Sequence, residues 1–321
     1  MAARCWTLML GMVVCACAKE PPRAANADQR PPTGSGSSAQ EAPEPGPSAL
    51  PAGRDTPGIR GILFSAQQGP DGNDYLSPVA IGLNGRWLEP VADTTDSAFA
   101  AFRGAFERAG QVYTLFLHGV LVGRATVIAP DTQVLCNTPS DASASFELDR
   151  PLSDSSAFAL DSGPGLGHDY HVRALTAPER LLLLSLAQRS LRDSGVAPSK
   201  LSKLHLRYGH AFAPSEDQPS VLTATFGADS STENETIWRL DAFLIADSTR
   251  AGYAPSLVWK NESGETDVAV ITFADVLDID GDGIPEIIAK GHYYESTDYL
   301  IYHRNAALGW ALVYHGGWAG C

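Results

Sequence analysis

The nine-residue run Asp278-Ile279-Asp280-Gly281-Asp282-Gly283-Ile284-Pro285-Glu286 constrains this chain more than any other stretch. Three carboxylates alternate around two glycines, and a fourth closes the run. Gly281 and Gly283 permit a sharp backbone bend that residues with a Cβ resist. The spacing predicts a short loop folded back on itself, feeding an apolar strand from Ile287 onward. A calcium ion takes about six to eight oxygen ligands, so a loop of this kind can wrap one. Asp278, Asp280 and Asp282 would offer side-chain oxygens, Ile284 its carbonyl, and Glu286 a further carboxylate. The residue where an EF-hand needs a bidentate Glu is Ala289, so the loop is not an EF-hand. The competing reading is an acidic turn that holds no ion. Without a cation, four crowded carboxylates raise one another's pKa values.

The pattern Asp-x-Asp-x-Asp-Gly-x-x-Glu followed by an apolar strand resembles the calcium loop of FG-GAP and integrin β-propeller repeats. The resemblance spans Phe273 to Ile288, and Glu286 stands where that family usually has Asp. No second copy is present, since Asp71-Gly72-Asn73-Asp74 is too degenerate to count. The resemblance therefore implies Ca²⁺ and a strand-loop-strand geometry, but not a propeller. Because an ion would turn carboxylate repulsion into a clamp on the flanking strands, a structural role is expected, against a catalytic or ligand-bridging one.

At the other end, Arg4 precedes an apolar stretch from Trp6 to Ala16 that is too short for a permanent membrane helix. Val14-Cys15-Ala16-Cys17 resembles a bacterial lipobox, which implies a signal peptide over 1–16 and a diacylglycerol on Cys17. Ala18 stands where Asp often marks inner-membrane retention, so an outer-membrane lipoprotein, periplasmic or surface-exposed, is expected. An ordinary secretory signal cut nearby is the alternative. Of the five cysteines, Cys136 and Cys321 remain after the signal and lipid site are set aside. In an oxidising compartment they read as a disulfide, against two independent thiols. Such a bridge would close about 185 residues, worth at most about 5 kcal/mol by chain entropy.

The net charge of -14 excludes nucleic acid as a partner and argues against adhesion to anionic lipid through charge. Residues 17–57 are rich in Pro, Ala, Gly and Ser and read as a disordered tether. From Gly58 the composition changes. The expected fold is α+β, mostly antiparallel β, in two β-rich subdomains over 58–161 and 168–321, the second carrying one prominent helix. Strands are expected at 59–64, 75–83, 111–117, 120–128, 145–148 and 157–160, with His118-Gly119 as a hairpin turn. Asp96 opens a helix with Phe99, Phe102 and Phe106 on one face. Thr176-Ala177-Pro178-Glu179 is a capping box, starting a helix that stops near Gly195 and whose four consecutive leucines imply burial. Further strands are expected at 203–208, 220–226, 238–245 and 269–273, and a closing meander at 287–294, 299–304 and 310–314.

His168 and His171 read as a loop pair without function, and Lys200, Lys203 and Arg207 as a solvated basic face. Tyr and His residues crowd the last strands, including His292, Tyr293, Tyr299, Tyr302, His303 and His315; packing explains most such clusters, and the alternative is an aromatic-polar, ligand-facing surface beside the calcium loop. No Gly-x-Ser-x-Gly elbow or phosphate loop occurs in the folded part. The expected function is a non-catalytic binding or structural module at the bacterial envelope, membrane-anchored through its lipid, with an envelope ligand or protein partner. The alternative is a hydrolase acting on an envelope or extracellular substrate. A deep pocket combining Ser or paired carboxylates with His would favour the enzyme.

Overall fold

A computed structural model describes residues 60–69, 72–83, 86–91, 96–130, 141–152, 157–161, 167–231, 236–264, 268–305 and 309–320. Cys17, the tether, Cys136 and Cys321 lie outside the described residues. Those residues fall within one compact unit, mostly antiparallel β with few helices.

The first segment holds β1 (Arg60–Gln68), β2 (Asp74–Leu83), β3 (Arg86–Leu88), α1 (Asp96–Phe106), β4 (Val112–Leu117), β5 (Val120–Ala129), β6 (Ala142–Leu148) and β7 (Ala157–Leu160). The order β1-β7-β4-β5-β6-β2-β3, with β1 also paired to β2, closes the sheet into a barrel-like ring. Closure removes the unpaired edges that invite association. Inward side chains such as Phe64, Tyr113, Leu115 and Val122 fill the ring, and Phe102 of α1 packs among them. The expected hairpin is present: Leu117 pairs with Val120, and both turn residues lie at positive φ, His118 at 57° and Gly119 at 79°. That is the two-residue turn whose twist suits antiparallel strands.

The second segment adds β8 (Arg173–Ala174), α2 (Ala177–Asp193), α3 (Pro198–Leu201), β9 (His205–Phe212), β10 (Val221–Ser231), β11 (Thr236–Thr249) and β12 (Gly252–Ser263), paired in the order β12-β11-β10-β9-β8. Thr176 and Glu179 form the reciprocal capping box, and the helix ends at Ser194, before Gly195 at φ +88°. The four leucines are a correction to the expectation of burial. Leu183 is fully buried, but Leu181 is 70% exposed. A helix lying on a sheet buries one stripe, so consecutive residues diverge around its axis. Leu183, Leu186 and Leu191 supply that stripe, each worth about 1.5–3 kcal/mol of transfer free energy.

The strand β12 was not anticipated. Pro255 lies within it, and none of its residues is fully buried. Proline is tolerated there because β12 is an edge strand and the register slips beside it, with Ala246 facing Pro255 and Ile245 facing Leu257.

The chain closes with the expected antiparallel meander of β14 (Glu286–Tyr293), β15 (Ser296–Asn305) and β16 (Gly309–Gly320), to which β13 (Ala269–Leu277), expected as a separate strand, adds a fourth strand. This sheet is buried on both faces. Ile288, Tyr299 and Ile301 pack against barrel residues Leu63, Phe116 and Phe158. Ile287, Leu300 and Tyr302 pack against Phe212, Phe243 and Ile245 of the five-stranded sheet. The strict alternation follows from the two-residue period of a strand. Polar ties join the layers: Tyr314 donates to the Val79 carbonyl at 2.6 Å, and Thr225 to the Ile271 carbonyl at 2.7 Å. No helix among the described residues is long and apolar enough to cross a membrane.

Candidate metal centre

Leu277 pairs with Glu286, so residues 278–285 connect two adjacent antiparallel strands. Gly281 and Gly283 lie at φ +73° and +85°, with open space where a Cβ would stand. Their requirement is therefore conformational and not steric. The aspartates themselves shape the turn. Asp278 accepts from the backbone N–H of Gly281 at 2.8 Å and of Gly283 at 3.0 Å. Asp280 accepts from Asp282 N–H at 3.1 Å, and Asp282 from Ile284 N–H at 2.7 Å. Short acidic side chains readily make such local bonds to their own backbone. Ile279 anchors the loop by burying itself in the cluster shared with the barrel.

The ligand atoms of Asp278, Asp280 and Asp282 all lie within 4.8 Å of one another. A second group, Asp280, Glu286 and His303, meets the same limit and shares Asp280. The structure thus brings three of the expected ligands together and draws Glu286 toward a histidine. Glu286 is 1% exposed, accepts from Ile279 N–H at 2.8 Å, and meets His303 Nδ1 at 2.6 Å. Ile284 lies at the exposed rim. His303 is not among the expected ligands. The signal was adjacency in the hairpin: Ile287 pairs with Tyr302, and Glu286 and His303 are the residues that flank that pair.

Burial outweighs mutual repulsion in this cluster. Burial lifts Asp278 above the usual carboxylate range. Burial, and then the neighbouring Asp282, push Asp280 up to about 6. Burial raises Glu286 to about 8 against the pull of His303, whose own pKa rises through its bond to Glu286. The all-oxygen group suits a hard divalent cation. The group containing an imidazole also suits borderline metals.

Residues around the loop tie it to both neighbouring layers. Asp275, fully buried, accepts from His118 N–H at 2.9 and 3.1 Å and from Val276 N–H at 2.7 Å, with His118 Nδ1 3.1 Å from its Oδ1. The barrel turn is thereby bound to β13. A Cβ at Gly119 would stand 2.1 Å from the His168 carbonyl, so glycine also permits this close approach. Tyr170 is 3% exposed, and its hydroxyl meets the Asp278 backbone. Burial and then the charge of Asp278 raise its pKa. Its own carbonyl accepts from Ala213 N–H at 2.8 Å, beyond the end of β9. His168 and His171 join no metal-binding group among the described residues.

The Tyr and His crowd does not form one face. Tyr299 turns toward the barrel, Tyr302 toward the other sheet, and Tyr294 is 71% exposed. The basic trio also divides, which corrects the reading of a uniform solvated face. Lys200 and Lys203 lie over the Trp238 ring, whereas Arg207 is bonded to the buried Asp241. No family model matches this chain, and neither a curated protein nor a solved structure matches it.

Proposed function

We propose that this chain is a membrane-anchored lipoprotein of the bacterial envelope whose folded part is a non-catalytic binding or structural module. Cys17 carries the lipid, residues 17–57 form the tether, and one Ca²⁺ at 278–286 braces the fold. Residues 60–160 and 173–320 pair strands only within themselves among the described residues, which supports two subdomains of α+β character overall.

The observation that carries this reading is the convergence of Asp278, Asp280 and Asp282 on one point, each already oriented by a backbone N–H. A divalent cation there would turn repulsion into a clamp between β13 and β14. Because Tyr170 and Asp275 hold the loop to the five-stranded sheet and the barrel, the clamp would also act across layers. Asp278, Asp280 and Asp282 are the primary ligands in this reading, with the Ile284 carbonyl and Glu286 completing the oxygen set.

Among the described residues, two pockets beside the meander do not combine Ser or paired carboxylates with His, the combination a hydrolase reading calls for. One, lined by Ser215, Asp247, Gly283 and Arg304 among others, contains no histidine. The other contains His210 and His292 but no serine and no carboxylate.

Thermal melting is the test. Calcium should raise the melting temperature by several degrees over chelator, and Asp280→Ala should abolish the difference. Identical melts with and without calcium would remove the ion from the account. Thiol titration of the unfolded, unreduced protein should find no free thiol if Cys136 and Cys321 are bridged.

A further inference from the structure

A pocket of about 450 Å³ opens between the five-stranded sheet and the meander, lined from β9, β11, β13 and β14. None of the loop residues 278–286 lines it. Two of its lining residues, Arg207 and Arg239, belong to an unequal ion cluster. Arg207 Nη1 donates to Asp241 at 2.7 Å, and Arg239 Nε donates to the other oxygen of the same carboxylate at 2.5 Å. Asp241 is fully buried, while the two arginines remain about a fifth to a quarter exposed. One carboxylate thus answers two guanidiniums, which leaves a local positive charge in a chain whose net charge is -14. Asp229, opposite Arg239 across β10 and β11, is exposed and lies outside the lining.

Each guanidinium carries five N–H donors, and Asp241 occupies only part of that capacity. Both arginines are held in place before any ligand arrives, so ordering them costs little. Arg207 lies flat on the backbone of Gly227, where a Cβ would come within 2.1 Å of the guanidinium. The walls are aromatic. The His210 ring lies 4.9 Å from Phe273, and Tyr208 stands 58% exposed beside it. His210 Nδ1 is buried without a hydrogen-bond partner among the described residues. Buried polar atoms are rarely left so unless something else completes them. Thr272 and His292 bond each other at 3.0 Å and close the meander side with polar groups.

We propose that this pocket binds a small organic carboxylate. Its carboxylate sits on the free donors of Arg207 and Arg239, and its flat apolar body lies against Tyr208 and Phe273. Paired guanidiniums match the planar fork of a carboxylate, and the volume lies within the range of about 300–1,000 Å³ usual for small-molecule sites. The inference does not depend on the cation loop.

Calorimetric titration of the full chain with benzoate, in calcium-containing buffer, tests it. Saturable binding is expected for benzoate and none for benzyl alcohol. Arg239→Gln should weaken benzoate by about tenfold or more, as loss of a charged hydrogen-bond pair does. Should that variant fail to fold because Asp241 has lost a partner, Tyr208→Ala decides, since its side chain is exposed and outside the ion cluster; a loss of about threefold to tenfold is expected. The proposal is overturned by absence of saturable benzoate binding, by equal binding of benzyl alcohol or of sulfate, or by Tyr208→Ala and a folded Arg239→Gln both binding as the native chain does. Failure here leaves the calcium melts untouched, so the two readings fall separately.

Discussion

The acidic loop and the arginine pocket stand at opposite ends of one hairpin, β13–β14, and are assembled in opposite ways. The loop collects like charges from nine consecutive residues and holds them with backbone N–H groups from the same nine. The pocket draws its charged and aromatic groups from four strands, Arg207 and Tyr208 on β9, Arg239 on β11, Phe273 on β13 and His292 on β14. In the loop, negative charge in excess invites a cation. In the pocket, an internal carboxylate already offsets half of the positive charge. The first site thus carries an uncompensated charge of one sign, whereas the second contains its own counter-charge.

The largest expected effect breaks the comparison at the pocket. Asp241→Ala leaves two partly buried guanidiniums facing each other without a counter-charge, and should destabilise the fold by about 3–5 kcal/mol. Urea denaturation measures it; a loss below about 1 kcal/mol would mean that the two arginines never depended on that carboxylate. The loop should respond to its ligand instead. Calcium at about 100 times its dissociation constant should add about 2.7 kcal/mol by mass action, and Asp280→Asn should reduce that gain while changing the metal-free protein far less. A gain from calcium that survives Asp280→Asn would move the ion elsewhere.

Thr176→Ala serves as a reference that belongs to neither site. Loss of the helix cap should cost about 1 kcal/mol, with calcium and benzoate responses unchanged. If either response shifts, α2 is coupled to the sites and their independence fails.

The smallest effects are in pH. In chelator, Asp280, raised to about 6, contributes stability that is present below its unfolded pKa and lost as pH rises through about 6. Glu179 runs the other way. Its hydrogen bonds to Arg173 hold it at about 2, so its contribution is present above its unfolded pKa and lost as pH falls toward 2. Differences between the native chain and Asp280→Asn or Glu179→Gln, followed by urea midpoints across pH, should therefore slope in opposite directions. Parallel slopes would show that the loop carboxylates are not crowded.

How far the molecule was legible depended on the reach of each interaction. The capping box at Thr176, the His118-Gly119 turn, helix α1 and the final meander were all visible in short segments. The strand β12 was hidden by Pro255, which only an edge position permits. The exposure of Leu181 was hidden because four adjacent leucines do not reveal which of them faces the sheet. Within the candidate metal centre, the spacing placed the three aspartates in one loop, but it did not reveal His303, which comes from the next strand and meets Glu286. Arg207 looked like the two lysines before it, yet only Arg207 meets Asp241, more than thirty residues away.

The amino-acid order alone determined the features closed within a few residues: caps, two-residue turns, and a loop whose aspartates bond their own backbone. Those interactions carry little loop-closure entropy and hardly depend on what surrounds them. Only the tertiary structure decided that the first sheet closes into a ring, that the meander is covered on both faces, and that two distant arginines share one buried carboxylate. Each of these depends on which strands lie side by side and in what register. Burial then sets the strength of a charge, and burial belongs to the packed molecule and not to any stretch of its sequence.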